Sequence, residues 1–369
     1  MLAGVAAAGF SRCDQIPQEA VAAWDGPGPE ATDIRRRALS YALLAPNPHN
    51  RQPWIADLRE PGVITFLCDR TRLLPDTDPF GRQIMIGCGA FLELLRMALL
   101  DQGYVAEISY FPDGEWPEGD VGDTPVCRVA CKKVQNAPAD ILFRQVLQRR
   151  TNRNLYTENA ATETEAISLA SALQGADVQF GWTSDKTKCA ELRELAEQAW
   201  RVEVETDATY LESVRLYRIT GSEIARHRDG LSLHGPLIWW ASRFGLFSHE
   251  KALALDPAAR MQSFELVADQ IRNTSSFAWL ATTNNDRRAQ LQAGAAYVRL
   301  NLKATGLGLA MGPISQVLQE FPAMLPLRVK HKKLLNVPDS STVQMCVRVG
   351  RTGNVGPSPR RALNDIIRI

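Results

Sequence analysis

The sequence predicts an α+β fold built from two units, each with an antiparallel or mixed sheet flanked by helices. Short alternating segments such as Trp54–Leu58 and Val63–Cys68 have the pattern of strands. Ile84–Leu100, which is apolar nearly all round, and Arg287–Thr305, which is rich in Ala and Leu, predict two long helices. At 369 residues the chain is long for one domain and sufficient for two.

The first unit is predicted over residues 31–136. Its first helix, Asp33–Leu44, is ended by Pro46 and Pro48. The elements predicted after it are, in chain order, strands Trp54–Leu58 and Val63–Cys68, helix Ile84–Leu100, and strands Tyr104–Phe111 and Val126–Lys133. Gly87 and Gly89 in the apolar helix indicate close packing against a neighbouring element, so we expect that helix to be buried.

The second unit is predicted over residues 137–369. Helices predicted over Ile141–Leu147, Glu163–Leu173 and Lys186–Val204 precede an irregularly patterned segment at about 205–262. Because that segment contains the aromatic clusters Trp239-Trp240 and Phe244 to Phe247, we interpret it as a lid-like insertion, with a buried pair of helices as the alternative. The elements predicted after it are strand Phe277–Thr283, helix Arg287–Thr305 and strand Met345–Val349.

Composition disfavours several classes of function. The 42 Lys and Arg residues nearly balance the 41 Asp and Glu residues, so no basic field is available for nucleic acid or an anionic membrane. No apolar run approaches the roughly 20 residues of a membrane-spanning helix. The 7 cysteines and 5 histidines lack the spacing of a disulfide framework or a zinc site. We therefore expect neither a metal nor a membrane span.

Residues 1–30 are interpreted as a separate N-terminal segment. Leu2–Phe10 is apolar and rich in small residues, like the hydrophobic part of a secretory signal without its charged start. A truncated export signal would make the protein periplasmic or exported, with Cys13 as a candidate lipid attachment site, although Arg12 is a poor residue before such a cysteine. The alternative is a surface helix or a frayed terminus on a cytoplasmic protein.

A stiff polar loop over residues 46–54 follows the first helix. Pro46 and Pro48 restrict its backbone. Its neutral hydrogen-bonding side chains are Asn47, His49, Asn50 and Gln52. Such a set suits the polar edge of a neutral heterocycle, but the pattern taken alone favours a structural turn.

Two basic motifs are candidates for binding phosphate, because guanidinium groups bind phosphate oxygens in pairs. The first motif contains Arg149, Arg150, Thr151 and Arg153, and the second contains Arg360 and Arg361. For both, a solvated surface is the alternative. A further segment, 304–316, contains glycines that indicate the end of the long helix, and it finishes with Pro313, Ile314, Ser315 and Gln316.

The loop over residues 46–54 resembles the flavin-contacting loop of the nitroreductase superfamily. The family pattern Ala-Pro-Ser-Ser-x-Asn-x-Gln-Pro-Trp is matched without a gap at Ala45, Pro46, Asn50, Gln52, Pro53 and Trp54. Asn47 and Pro48 stand in place of the two serines, and Pro48 has no backbone N–H to donate. The resemblance implies an FMN cofactor, with Asn50 bonding the polar side of the flavin ring or its ribityl chain.

The basic motifs resemble further parts of the same family. The segment 149–153 is similar to the family's Arg-Arg-Ser-x-Arg motif, which implies that Arg149, Thr151 and Arg153 hold the FMN phosphate. Arg360 and Arg361 resemble a terminal basic pair that reaches the same phosphate.

The glycine-containing segment resembles a third part of the family. There, a backbone N–H just after the Pro-Ile step, here Pro313-Ile314, faces the flavin N5 atom, to which hydride is transferred. The resemblance implies this role for Ser315 or Gln316.

The distribution of the motifs implies a fused arrangement. In the family, each FMN lies between the clamp of one chain and the loop of the other chain of a homodimer, and the loop follows the clamp by about thirty residues. Here no arginine cluster lies that far before Pro46, and no Pro-x-x-x-Asn pattern lies that far after Arg153. The resemblance is to the Acg-type tandem proteins and spans most of residues 32–361. It implies an internal pseudo-dimer with one FMN site, either as a monomer or as a weak homodimer.

The implied activity is two-electron transfer from NAD(P)H through flavin N5 to an electron-poor small molecule, in a ping-pong sequence. His49 is a candidate proton donor, with a structural role in the loop as the alternative. Two other functions stay open. One is an FMN-storing protein with a closed lid, and the other is a flavin-dependent oxidase or dehydrogenase of a small metabolite or peptide. No hydrolase nucleophile motif is present.

Overall fold

The protein has an α+β fold, as the strand and helix patterns predict. The computed structural model describes residues 16–29, 31–117, 119–135, 137–234, 240, 243–244 and 248–369. The segment interpreted as an export signal, with Cys13, lies outside the described residues, and so do Trp239 and Phe247.

The first sheet has five strands, one of which comes from the far end of the sequence. The strands are β1 (Trp54–Asp57), β2 (Val63–Cys68), β3 (Tyr104–Tyr110), β4 (Cys127–Lys133) and β11 (Ile367–Arg368), in the order β11-β1-β2-β4-β3. Neighbouring strands are antiparallel except β1 and β11, which are parallel with Ala56 opposite Ile367. The predicted strands of residues 54–133 are confirmed, and β11 adds an edge strand that no sequence pattern predicts.

The second sheet is antiparallel throughout. Its strands are β5 (Gln179–Thr183), β8 (Phe277–Thr282), β9 (Ala310–Pro313) and β10 (Thr342–Gly350), in the order β5-β8-β10-β9. Every residue of β8 is buried, so both faces of this central strand are covered. Two short strands, β6 (Tyr217–Arg218) and β7 (Leu231–Ser232), form a separate parallel pair.

Helices surround and separate the two sheets. The described α-helices are α1 (Gln18–Val21), α2 (Ile34–Ala42), α3 (Arg82–Asp101), α4 (Glu163–Ser171), α5 (Lys186–Glu205), α6 (Asp207–Arg215), α7 (Gly221–His227), α8 (His249–Leu253), α9 (Pro257–Arg272), α10 (Arg287–Gly306) and α11 (Leu325–Leu334). The helix predicted over Ile141–Leu147 is instead a 3₁₀ helix, Ile141–Gln145.

The two 20-residue helices α3 and α10 cross with their backbones in contact. A Cβ atom built on Gly89 would lie 2.0 Å from the carbonyl oxygen of Leu291, and one on Gly294 would lie 1.9 Å from that of Ile86. Only glycine permits so close an approach, which confirms the packing role expected of Gly89. Leu291 also joins the hydrophobic cluster beside the first sheet, and Ile86 joins the cluster beside the second. The pair of helices α3 and α10 therefore contributes to the hydrophobic clusters beside both sheets.

The expectation that no segment has the length and composition of a membrane span is wrong for helix α3. This helix is 20 residues long and apolar enough to cross a bilayer, but 83% of its most apolar window is buried inside the fold. Burial against α10 and the first sheet accounts for that hydrophobicity, because a core helix is apolar on every side.

The described part of segment 205–262 consists mainly of helices, with the short strands β6 and β7 between them. Tyr210, Val214 and Ala259 from α6 and α9 belong to a hydrophobic cluster with residues of α5 and the second sheet. Trp240 stacks on Phe244 with 5.5 Å between ring centroids, and Phe244 is exposed. The packing matches the buried-helix alternative, while a movable lid stays a prediction.

Candidate functional site

The loop over residues 46–54 has an unusual backbone. His49, Asn50 and Gln52 have φ angles of 47°, 50° and 50°, in the left-handed region that non-glycine residues rarely adopt. The Asn47 side chain braces the loop, since its Oδ1 accepts from the Gln52 N–H at 2.8 Å and its Nδ2 donates to the Ala45 carbonyl at 3.1 Å. Such clusters of backbone strain are typical of functional sites and must be held by their surroundings.

Arg360 and Arg361 hold this loop. The Arg360 guanidinium donates to Asn50 Oδ1 at 3.0 Å, and Asn50 Nδ2 donates to the Pro359 carbonyl at 3.0 Å. Arg361 donates from its backbone to Gln52 Oε1 at 2.8 Å and from its side chain to the Gln52 carbonyl at 3.0 Å. The structure thus brings these predicted site residues together with Asn50 and Gln52. Their binding of a ligand phosphate stays a prediction.

Arg149, Arg150 and Arg360 surround the buried indole of Trp24. Their guanidinium carbons lie 5.5, 4.2 and 5.1 Å from its ring centroid. Arg149 also donates to the Leu44 carbonyl at 2.8 Å, but its buried Nε has no hydrogen-bond partner among the described residues. Burial lowers the pKa of Arg149 to about 10. The cluster connects the first basic motif with the second through Trp24, which sequence reasoning did not single out.

Arg153 and Thr151 lie at the open part of the first motif. Among the residues that the structure describes, Arg153 has no hydrogen bond and no ion pair, and its side chain is exposed. Surrounding protein nevertheless withdraws the guanidinium from water and so lowers the pKa of Arg153. Thr151 lies beside the buried hydroxyl of Tyr297. Of these groups, the exposed guanidinium of Arg153 is open to a ligand.

His49 lies close to Arg153 and is linked to the protein interior. Its Nε2 is 3.0 Å from Ser213 Oγ, which lies 3.5 Å from Glu203 Oε1. Gln319 Nε2 donates to Glu203 Oε2 at 2.9 Å. Burial, followed by the charges of Arg153 and Arg51, lowers the pKa of His49 to about 4. His49 is therefore neutral at physiological pH.

The predicted N5-facing segment lies beside the first basic motif. Pro313 pairs with Val347 at the end of β9, and Ile314 N–H donates to the Cys346 carbonyl at 2.9 Å. Ser315 and Gln316 then enter a 3₁₀ turn. Asn152 N–H donates to the Met311 carbonyl at 2.9 Å, which joins β9 to the motif over residues 149–153.

A buried carboxylate ties a further segment to the loop. Asp229 accepts from Arg72 at 2.8 Å and from Arg218 at 2.8 Å, and it lies 3.4 Å from Arg51. The next residue, Gly230, donates from its backbone to the Asn50 carbonyl at 3.3 Å. The segment around Asp229 is therefore fixed against the loop. Sequence reasoning missed Asp229, because its partners are scattered along the chain.

A cavity of about 310 Å³ lies behind the terminal arginines. Its lining includes Arg36, Arg228, Arg360 and Arg361, with Glu19 as its acidic side chain. Neither the loop over residues 46–54 nor the motif over residues 149–153 contributes to it. The described residues hold no group of three or more His, Cys, Asp or Glu side chains placed to bind a metal ion.

Comparison with known proteins identifies the family. The model of the nitroreductase family matches residues 146–351, more than half of the chain. The sequence is 25% identical over 361 residues to the "Putative NAD(P)H nitroreductase acg" of Mycobacterium tuberculosis, covering 92% of this chain and 96% of that protein.

The chain is also similar to two solved nitroreductase structures. An FMN-dependent nitroreductase, NfnB, from Mycobacterium smegmatis in complex with NADPH is 18% identical, with a TM-score of 0.39 over 61% of this chain and 96% of that one. A nitroreductase with bound FMN from Desulfitobacterium hafniense is 10% identical, with a TM-score of 0.40 over 63% of this chain and all of that one. On the match of the family model, the chain belongs to the nitroreductase family.

Proposed function

We propose that the protein is an FMN-dependent oxidoreductase that transfers two electrons from NAD(P)H to an electron-poor small molecule. Membership of the nitroreductase family supports a flavin-dependent redox activity. A mycobacterial relative that aligns over most of the chain carries the name of an NAD(P)H nitroreductase, which supports the choice of reductant. When bound, FMN would supply hydride transfer at its N5 atom.

The unpartnered cationic donors of the first basic motif carry the proposal. The guanidinium of Arg153 and Nε of Arg149 are hydrogen-bond donors without an acceptor in the described residues. A flavin mononucleotide presents phosphate and ring carbonyl oxygens, which are the acceptors that this donor set lacks. Arg153 and Thr151 would hold these oxygens, and the backbone after Ile314 would lie toward the ring.

We propose further that the chain contains two nitroreductase-like units, over residues 31–136 and 137–369, that share one site. In this proposal the first unit contributes Asn50, and the second contributes Arg153. Two features support it. Helices α3 and α10 pack backbone to backbone, as equivalent helices of a dimer could, and β11 crosses from the second unit into the first sheet.

Single substitutions in the two units test the shared site. Arg153→Ala removes a cation that has no ion pair within the described ranges, and Asn50→Ala removes the amide between Arg360 and Pro359. Each should weaken FMN binding, by about ten- to a hundred-fold for Arg153, because a charged hydrogen bond contributes roughly 1.5–3 kcal/mol. Flavin fluorescence quenching on titration of the apoprotein measures the affinity.

Arg144→Ala is the matched control for charge. Arg144 is exposed, lies just before the basic motif and has no side-chain partner in the described part of the chain. Its substitution should leave FMN affinity unchanged. Wild-type affinity in both site variants would contradict a site shared between the two units.

Storage of FMN without turnover is the second candidate. The bonds from Asp229 and Gly230 that fix a neighbouring segment against the loop favour it, because a fixed segment limits access to the space beside His49. Bleaching of bound flavin by NADH or NADPH, followed by reoxidation with a nitroaromatic or quinone, supports catalysis. Tight binding without bleaching supports storage, and oxygen consumption without nicotinamide supports an oxidase.

A further inference from the structure

Glu203 is a buried carboxyl group without a cationic partner. It is 3% exposed, and in the described part of the chain no lysine or arginine forms an ion pair with it. Its own helix, α5, supplies no charge to it. The groups facing it are Ser213 and Glu212 on α6, Gln319, and the nearby Tyr217.

This environment favours the neutral acid. Burial raises the pKa of Glu203 to about 8, and the neighbouring carboxylate of Glu212 acts in the same direction, while bonds from Gln319 and Ser213 oppose both. Glu203 therefore carries a proton at neutral pH. Because Gln319 donates to Oε2, the remaining oxygen, Oε1, faces Ser213.

Ser213 transmits the state of Glu203 to His49, because a hydroxyl has one proton to donate. When Glu203 is protonated, it can donate to Ser213 Oγ, and Ser213 then donates to His49 Nε2. His49 is neutral, so its own proton must then lie on Nδ1. When Glu203 is ionised, Ser213 donates to the carboxylate, and His49 must donate from Nε2.

We propose that Glu203, acting through Ser213, determines which ring nitrogen of His49 carries the proton. With neutral Glu203, His49 offers an Nδ1–H donor on the ring edge away from Ser213; with ionised Glu203, it offers an Nδ1 acceptor. Glu203 and Ser213 are thus positioning residues. The inference rests on the proposed function in one respect. It takes a substrate bound next to Arg153 as the acceptor of the Nδ1–H proton of His49.

The protons along this chain also balance when His49 donates its Nδ1–H proton. The Nδ1–H proton leaves to the acceptor, Nε2 takes the proton of Ser213, and Ser213 takes the proton of Glu203. The net change is one proton from Glu203 to the acceptor, after which solvent reprotonates Glu203. No electron moves in this chain, because the reductant of the proposed function supplies the electron pair.

Nitrogen NMR of ¹⁵N-histidine-labelled full-length protein tests the proposal without requiring turnover. The two ring nitrogens have separate chemical shifts in each tautomer, and His49→Gln identifies the His49 signals. In the wild type we expect Nδ1–H below pH 8 and Nε2–H above it, with the change following the ionisation of Glu203. The measurement is repeated after FMN is added.

Two variants separate a specific relay from a structural role. Glu203→Gln should keep Nδ1–H at every pH, because its amide oxygen can accept from Gln319 while its NH₂ group donates to Ser213. Ser213→Ala should abolish the pH-dependent change. The buried His331, which lies on α11 and has no side-chain hydrogen bond in the described part of the chain, should give the same spectrum in all variants.

Glu212→Gln is the matched control. Glu212 is also a buried carboxyl group on the same helix as Ser213, but it accepts from Asp76 and Thr77 rather than from Ser213. The change of tautomer should persist in this variant and move to lower pH.

A single His49 tautomer on both sides of pH 8 in the wild type, or a change that persists in Glu203→Gln, overturns the proposal. Failure of turnover alone would overturn only the proposed function.

Discussion

His49, Asn50 and Gln52 show how the site is held at the scale of single residues. Each left-handed torsion costs on the order of 1–3 kcal/mol, and contacts with Arg360 and Arg361 offset that cost. The sequence identified the loop, because its residue pattern is local. It could not predict the strained backbone, since the partners that impose it lie about 300 residues away.

The same limit applies to the polar interior. Ser213, Glu203 and Gln319 carry no local motif, and only the folded chain brings them to His49. Arg153 was predicted from its motif, and the structure adds that it has no partner among the residues that are described. Tyr297 was predicted only as part of a long apolar helix, where a buried hydroxyl cannot be distinguished from a core aromatic side chain.

At this scale, Glu203→Gln should increase stability at neutral and alkaline pH. The carboxyl pKa rises from its ordinary value of 4.5 to about 8 on folding, because burial disfavours the charged form. Between these values the unfolded chain releases a proton that the folded chain retains, so the contribution of Glu203 to wild-type stability falls with rising pH and levels off above 8. The slope is about 1.4 kcal/mol per pH unit. Urea unfolding at several pH values measures it.

The variant should lose this contribution, so its advantage over the wild type should grow from pH 4.5 to pH 8. Glu194→Gln on the same helix is the control, because Glu194 is exposed and its substitution should alter stability little at any pH. Equal slopes for Glu203→Gln and the wild type would indicate that Glu203 is ionised in the folded protein.

At the scale of elements, the crossing of α3 and α10 depends on two glycines. Gly89→Ala and Gly294→Ala should each lower the free energy of unfolding by about 1–3 kcal/mol or more, because the added methyl group meets backbone that cannot move aside. Chemical denaturation measures the change.

Gly356→Ala provides the comparison for that test. A Cβ atom there would meet nothing within 4 Å, and its backbone is not left-handed. It should leave stability within about 0.5 kcal/mol of the wild type. If all three alanine variants were equally stable, the close approach of the two helices would be wrong.

Long, strongly patterned elements were the ones that the sequence predicted well. Helices α3 and α10 and the strands of residues 54–133 lie close to their predicted bounds. The two-residue strand β11 and the four-residue strand β9 were missed, because such short segments carry no periodicity. Their hydrogen bonds depend on a neighbouring strand from elsewhere in the chain.

At the scale of the whole molecule, the two sheets cannot be separated without exposing core. Leu291, Val298 and Leu302 from α10 complete the cluster of the first sheet. Arg82 of α3 is buried against the other half, where it pairs with Glu320 at 3.0 Å and donates to Gln344 Oε1 at 3.1 Å. Separating the two halves would remove Glu320 from Arg82 and leave the buried guanidinium charge unpaired.

We therefore expect residues 31–136 to fail to fold alone. That fragment lacks both α10 and β11, so one face of α3 and one edge of the first sheet would be open. Co-expression with residues 137–369 should restore a complex of both fragments, as measured by circular dichroism and size-exclusion chromatography. A folded, monomeric 31–136 fragment would contradict the shared core.

The pairing of β1 with β11 has a consequence for folding during synthesis. Asn50 leaves the ribosome 309 residues before Pro359, the residue to which its side chain binds. At about 5–20 residues per second, that interval is roughly 15–60 s. Throughout it, the strained loop lacks its arginine contacts and β1 keeps an open edge, so neither the first sheet nor the site can be complete before translation reaches residue 368. A chain truncated shortly before residue 359 and released from the ribosome should thus hold a structured second sheet and an unformed loop.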